Sequence, residues 1–364
     1  MRVAFDEQIF LAQSTGGISR YFSQLIAAFR SDRGLGIDPV LAWKWSYNQH
    51  ALDLGVAREL PVILPSWQSN GLKRYAYYTS NSFARHRISR QAILHHTFYH
   101  PRFLRAGYKG RRVVTIYDMT PEIFPEQFSG RNPHLAKRRY VDESDMILCI
   151  SEETAKDLLA IYGPLDKPVR VTYLGVSPLF SPNKAPLPGI PTRYVLFVGR
   201  RGNYKDYRVA VEALAGLRAD VVLIAAGGGP FSSDELRLHD VLGVSRRVLQ
   251  LGVGDGDLAR LYSNALAFVY PSRYEGFGLP TLEAMASGTP AVLASTSVHP
   301  EIGGDAGLYF PPGNADALRD VLDELIGDSS LRERHIELGV QRASEFTWLR
   351  TAAQTAEAYA ALAR

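Results

Sequence analysis

Residues 266–293, LAFVYPSRYEGFGLPTLEAMASGTPAVL, restrict the chain to a narrow set of architectures. An apolar run, a glycine-punctuated loop, a short helical stretch and a second apolar run read as strand, loop, helix, strand. Buried strands joined through helices belong to parallel sheets. The loop Tyr274-Glu275-Gly276-Phe277-Gly278-Leu279 falls between a strand end and a helix start. There, free backbone N–H groups and the positive end of the helix dipole attract an anion, and a phosphate suits the place. Glu275 and Glu283 are eight residues apart. With a helix starting near Pro280, a residue suited to a first helical position, both carboxylates lie on one side.

The same alternation runs through the chain. Val3-Ala4-Phe5 opens a strand, and Gly16-Gly17 makes a turn before a helical pattern over 18–29 with Tyr21, Phe22, Leu25 and Ile26 on one face. Such a turn also lets a phosphate or sugar approach the backbone, although two glycines alone make no more than a tight turn. Residues 92–94 run into His95-His96, 113–116 end at Tyr117-Asp118, and 146–150 end at Ser151, placed to cap a helix over 152–161. The carboxyl ends of parallel strands face the ligand crevice, which makes His95, His96, Tyr117 and Asp118 site candidates. After a strand at 169–172, the proline-rich segment 177–192 lacks periodicity and reads as a linker.

Residues 194–198 restart the pattern and deliver Gly199-Arg200-Arg201-Gly202-Asn203-Tyr204-Lys205 ahead of a helix over 206–217. Arg200 and Lys205 on one loop can stabilise the charge of a departing diphosphate; in isolation such a loop is a basic surface turn. A strand at 221–225 leads into Gly227-Gly228-Gly229-Pro230, which allows close backbone approach, and 248–251 lead into Gly252. Asp255-Gly256-Asp257 has the spacing of an acidic metal pair, but Asp257 reads more simply as a helix N-cap. No metal site is expected, since His95 and His96 lack a third ligand at a recognisable interval. Helices over 314–327 and 330–345 precede an alanine-rich helix carrying Trp348 and Tyr359.

Composition bounds the setting. A chain of 364 residues exceeds one ordinary core and implies two domains. The single cysteine, Cys149, forms no internal disulfide and reads as inert core, and no apolar run reaches eighteen residues. With Met1 leading directly into RVAFD, the expected compartment is the cytoplasm. Residues 60–117 hold no Asp or Glu, yet carry Lys73, Arg74, Arg85, Arg87, Arg90, Arg102, Arg105, Lys109, Arg111 and Arg112 among aromatic residues. Such a stretch, centred on residues 70–112, suits an anionic membrane surface at the inner face of the plasma membrane; the simpler alternative is a solvated basic face. No nucleic-acid motif accompanies it, and no nucleic-acid partner is expected.

The two glutamates separated by seven residues around Gly276-Phe277-Gly278-Leu279-Pro280 resemble the retaining glycosyltransferases of family 4. The resemblance extends to Arg200 and Lys205 after Gly199, to the Pro300-Glu301 and Gly304-Asp305-Ala306 pattern, and more loosely to Gly16-Gly17, His95, Asp118 and Ser151-Glu152. It implies an α/β chain of GT-B architecture, two Rossmann-like doubly wound domains facing across a cleft, with a C-terminal helix returning to the first. The implied division is an acceptor-binding domain at 1–176, a linker at 177–192, a nucleotide-sugar domain at 193–346 and the returning helix at 347–364. It also implies metal-independent transfer with retention, without a cofactor. Arg200, Lys205 and amides near Gly278 would hold the diphosphate, Glu275 the sugar and Glu283 the ribose; His95 and Asp118 would line the acceptor or sugar side. Gly16, Gly17, Gly199, Gly228, Gly276, Phe277 and Leu279 would complete the donor site. The donor is expected to be a GDP-sugar of mannose type, with UDP- or TDP-sugars as alternatives, and the acceptor a saccharide or lipid-linked saccharide of a cell-surface polysaccharide. Tyr117 departs from the pattern, where many members carry histidine. A nicotinamide-dependent oxidoreductase of the same fold class lacks its G-x-G-x-x-G fingerprint here, and a non-catalytic nucleotide-sugar scaffold is the remaining alternative.

Overall fold

The computed structural model describes residues 1–59, 84, 88, 91–104, 107–128, 132 and 134–364. They divide into two compact units, Met1–Gly175 with Trp348–Arg364, and Val176–Thr347.

The first unit is built on strands β1 (Arg2–Phe5), β2 (Asp38–Leu41), β5 (Ile93–His96), β6 (Arg111–Ile116), β7 (Met146–Cys149) and β8 (Val169–Val171). A two-stranded ribbon, β3 (Trp45–Ser46) with β4 (Arg58–Glu59), lies apart from them. The six run parallel in the order β2-β1-β5-β6-β7-β8. The order reverses between β1 and β5, so the turn at Gly16 and the end of β5 fall beside the same switch point. β5 and β7 are buried at every position, as expected of strands covered on both faces.

The helix Gly17–Ser31 turns Tyr21, Phe22, Leu25, Ile26 and Phe29 inward, with Phe22 edge-on to Phe5 at 6.1 Å. Against it packs the last helix, Trp348–Ala363: Tyr359 meets Phe29 at 6.2 Å between ring centres and Trp348 meets Tyr21 at 6.3 Å. Full burial of side chains of this size contributes about 1.5–3 kcal/mol each, which holds the returning helix in place. Cys149 is wholly enclosed and burial pushes its thiol pKa up, so it is inert core.

The second unit carries β9 (Tyr194–Val198), β10 (Val222–Ala226), β11 (Val248–Leu251), β12 (Ala267–Tyr270), β13 (Ala291–Ala294) and β14 (Gly307–Phe310). They pair in parallel in the order β11-β10-β9-β12-β13-β14. Counted within the unit this is 3-2-1-4-5-6, the doubly wound dinucleotide-fold order, with its switch point between β9 and β12. Register follows from alternation: Val195 and Phe197 enter one layer of core, Tyr194 and Leu196 the other, and a one-residue slip would exchange them.

The expected linker is irregular but fastened. Phe180 packs on Tyr262 at 5.8 Å, and Arg260 donates to the carbonyls of Ala185 and Pro186 at 2.9 and 2.7 Å. The N-cap expected at Asp257 is corrected: the helix is Asp255–Asn264, capped by Gly254 without a side-chain bond. Asp257 sits in its first turn, 3.5 Å from Arg260, where a negative charge favours the helix dipole. Among the described residues no helix is long and apolar enough to cross a membrane, and no group of three or more His, Cys, Asp or Glu could hold a metal ion. Of the basic residues in the stretch at 70–112, Lys73, Arg74, Arg85, Arg87, Arg90 and Arg105 lie outside the described residues.

Candidate active site

The loops that follow β9 and β12 flank the switch point of the second unit, and they are tied together. The Arg273 N–H donates to the Tyr204 carbonyl at 2.7 Å, and the Arg273 guanidinium meets the buried Asp206 carboxylate at 2.8 Å. Asp206 adopts a left-handed backbone, φ 49°, uncommon for a residue with a Cβ. Such strain persists where surrounding contacts overdetermine it, and the Arg273 pair is one of them.

Inside this frame Lys205 of the first loop forms an ion pair with Glu275 of the second, with side-chain exposures of 15% and 12%. The ammonium also donates to the Tyr270 hydroxyl at 3.3 Å and lies over the Tyr270 ring at 5.2 Å. Tyr270, the last residue of β12, is buried; burial first, and then the Glu275 charge, hold its hydroxyl well above the usual phenol range. Its ring stacks at 5.0 Å on His299, whose Nδ1–H donates to the Ala294 carbonyl at 2.9 Å. Burial lowers the His299 pKa against the pull of Glu275. The Ser297 hydroxyl donates to the Glu275 carbonyl at 3.0 Å, fixing the backbone beneath the carboxylate.

Two neighbouring arginines divide their work. Arg200 is exposed, whereas the Arg201 side chain is only 3% exposed. Arg201 pairs with Glu235 at 2.7 Å and donates to the carbonyls of Gly227, Gly229 and Pro230, each at 2.9 Å. It also lies over the Phe231 ring at 4.7 Å. This fork fixes the loop after β10, where Gly227, Gly228 and Gly229 all have positive φ. A Cβ on Gly228 would stand 2.6 Å from Arg201 Nη1 and 3.0 Å from the Gly199 carbonyl. Gly228→Ala therefore combines left-handed strain with a clash, and should destabilise by at least about 1 kcal/mol in denaturant unfolding.

Gly278 ends the second loop at φ 87° and begins the helix Leu279–Ala286, with Pro280 in its first turn. Phe277 is buried against Phe346 at 6.1 Å, which holds the glycine loop by its side chain. Glu283, on that helix, is 5% exposed and accepts from the Tyr262 hydroxyl at 3.4 Å.

In the first unit the candidates separate. Gly16 caps the helix Gly17–Ser31, and a Cβ there would lie 2.4 Å from Gln13 Oε1, whereas one on Gly17 would meet open space. Asp118 is partly exposed; its carboxylate accepts from the Thr120 N–H at 2.9 Å and its carbonyl from buried Lys137 at 2.8 Å. The Tyr117 hydroxyl donates to the Thr97 carbonyl at 2.9 Å.

The expectation that His95 lines a ligand surface is corrected. Its side chain has no exposure, and its ring nitrogens are taken by the Tyr359 hydroxyl at 2.5 Å and the Thr115 hydroxyl at 2.7 Å. Burial lowers its pKa to about 3, partly offset by Asp6. The sign follows. Below the ordinary value of 6.5 the unfolded chain binds a proton that the folded one refuses, so stability falls with pH down to about 3. The expected slope is about 1.4 kcal/mol per pH unit from this residue, and His95→Gln should flatten it by about one proton in urea titrations across that range.

Sequence reasoning missed Arg201, Asp206, Tyr270, Arg273 and His299. The structure holds a capping box at Ser232 and Glu235, whose Ser-x-x-Glu spacing is visible in the sequence although sequence reasoning did not draw on it, and nothing in that spacing discloses that Glu235 also receives Arg201.

The sequence pattern of the family Glycosyl transferases group 1 matches residues 187–342. The O-antigen chain mannosyltransferase B of Escherichia coli is 30% identical over 338 residues, covering 86% of this chain and 84% of that one. Among solved structures, a sucrose-phosphate synthase from Thermosynechococcus elongatus superposes with a TM-score of 0.75 at 21% identity, covering 100% of this chain and 99% of that one. The HepE protein of Anabaena, solved in complex with UDP and glucose, gives 0.76 at 18% identity over 99% of both chains.

Proposed function

From the premise that this chain belongs to the group 1 glycosyl transferases of GT-B fold, we propose that it moves a hexose, of mannose type from a GDP-sugar, to a saccharide or lipid-linked acceptor in cell-surface polysaccharide synthesis. Sugar transfer from a nucleotide-sugar donor is the family's activity, and the nicotinamide alternative falls with that membership. The observation that carries the site assignment is the Lys205–Glu275 pair, closed across the switch point by two loops that meet nowhere in sequence. The mannose-type donor rests on the Escherichia coli relative, and the nucleoside diphosphate on the Anabaena protein, which holds UDP.

In this reading Arg200 and Lys205 bind the diphosphate. Lys205 then exchanges its carboxylate partner for phosphate oxygens, which leaves Glu275 to accept hydroxyls of the donor sugar. Glu283 takes the ribose hydroxyls, and the amides around Gly278 face the phosphates at a helix N-terminus. The bond from the anomeric carbon to the phosphate oxygen breaks as the acceptor oxygen bonds the same face of that carbon, and the acceptor's proton passes to the leaving phosphate. Configuration is retained, and fixed cations stand where other transferases use a metal. No resident cofactor is part of the proposal. Asp118 lies on the acceptor side, and residues 70–112 make peripheral contact with anionic lipid at the inner face of the plasma membrane.

The donor is tested by thermal shift against GDP-, UDP-, TDP- and ADP-sugars. A ligand at a hundred times its dissociation constant adds about 2.7 kcal/mol, and GDP-mannose should give the largest shift. A larger shift with a UDP-sugar reassigns the base; none with any donor removes the reading. Liposome flotation with anionic and neutral lipids at two salt concentrations tests the membrane contact, and equal binding to both removes its electrostatic part.

A further inference from the structure

Along the outer edge of β2 in the first unit lies a cavity of about 560 Å³, apart from every residue assigned above. Arg2, Arg30, Lys44 and Arg58 line it against one carboxylate, Asp38. Its remaining walls include Pro39, Val40, Leu41, Val56 and Ala57.

The charges have unequal standing. Arg2 pairs with Asp38 at 3.2 Å, so these two nearly cancel. Arg30 is a strut: it leaves the last turn of the helix Gly17–Ser31 and donates to the carbonyls of Gly55 and Val56 at 2.8 and 3.3 Å. It holds the far wall in place while keeping its charge beside the cavity. Burial first, and then repulsion from Arg33, lower its pKa, partly offset by the Asp38 carboxylate. Lys44 and Arg58 both line the cavity, on neighbouring segments joined where the Arg58 N–H donates to the Lys44 carbonyl at 2.7 Å and the β3–β4 ribbon begins. Both are exposed, and among the described residues neither has an acidic partner. Like charges lining one cavity repel, and an anion bound among them relieves that repulsion.

We propose that this cavity is a second anion site, which takes a phosphate-bearing ligand about the size of a monosaccharide phosphate. The phosphate is held by Lys44 and Arg58, with Arg30 adding to the field behind it, and the apolar wall takes the carbon face of the attached group. The volume falls within the range of small-molecule sites and is far larger than a bare phosphate needs. The same chemistry could be presented by a soluble sugar phosphate or by a phospholipid headgroup.

Isothermal titration with glucose 1-phosphate separates this site from the donor loops. The wild-type protein, Lys44→Gln with Arg58→Gln, and Arg200→Gln with Lys205→Gln are compared. Both cavity side chains are exposed, so melting temperature should stay within a few degrees and serve as the folding control. The first double variant should lose at least tenfold in affinity, and the second should keep a binding event that the first lacks. Sedimentation with phosphatidylglycerol and phosphatidylcholine vesicles forms the other arm. Vesicle binding that depends on Lys44 and Arg58, without glucose 1-phosphate binding, assigns the headgroup as the source. If the first double variant matches wild type in both arms, or glucose 1-phosphate binding depends on Arg200 and Lys205 alone with no vesicle effect, the proposal is overturned. Either result leaves the donor reading untouched, since that reading rests on the thermal shifts with nucleotide sugars.

Discussion

Lys205→Ala should lower sugar transfer by about 10²–10³-fold, the effect expected for deleting one fixed charge that stabilises a leaving group. The loss should fall mainly on kcat, because the charge to be stabilised grows as the bond to phosphate breaks. The substitution also leaves Glu275, 12% exposed, without its cation. That carboxylate is near enough to solvent that the fold should survive, and the melting temperature of the variant checks it. Glu275→Gln should lose transfer too, and the double variant should lose less than the product of the two, because the residues share one pair. Full activity in Lys205→Ala would sink the phosphate assignment. A fall in affinity for donor with kcat intact would instead make Lys205 a ground-state contact.

Arg201→Ala should destabilise the second unit by about 3 kcal/mol, more than any other single change near the site. The side chain is almost fully enclosed, and its removal strands Glu235 and leaves the Gly227 carbonyl with Gln250 Nε2 alone at 3.4 Å, while the exposed carbonyls of Gly229 and Pro230 turn to water. Glu235 retains the Ser232 N–H at 2.6 Å, which keeps the cost toward the lower end for a broken enclosed pair. Arg201→Lys should recover little, since an ammonium cannot reproduce the fork by which one guanidinium reaches a carboxylate and three carbonyls. Denaturant unfolding of the whole chain, read by a probe in the second unit, measures this. A loss below about 1 kcal/mol would mean that the glycine loop holds its shape unaided.

These two outcomes also mark what could be read from sequence. The strand, loop and helix around Glu275 were legible because apolar runs and glycines report directly on burial and turns, and the loop after β9 was legible for the same reason. That Lys205 meets Glu275 was not, because the pairing depends on strand order, and β9 lies beside β12 only after two intervening strands have gone to the other side. Composition and spacing alone do not tell Arg200 from Arg201, and the choice of Arg200 rests on the family resemblance; what separates the two in the structure is that Arg201 finds Glu235 and the loop carbonyls. His95 failed for a related reason. A histidine at a strand end is a fair candidate until something covers it, and here the cover includes Tyr359, which is 264 residues away in sequence. At Asp257 the margin is shorter: the helix begins three residues earlier than its apolar pattern suggests, and Gly254 takes the cap.

The helix Trp348–Ala363 closes the unit that Met1 begins, while Val176–Thr347 is complete within itself. During synthesis, the middle of the chain can therefore finish folding while the first sheet still waits for Tyr359 to reach His95 and for Trp348 to cover Tyr21. A ribosome that stops short of residue 348 would release a second unit complete in sequence joined to a first unit whose Tyr21 and Phe29 lack their covering rings, the kind of product that chaperones hold and proteases remove.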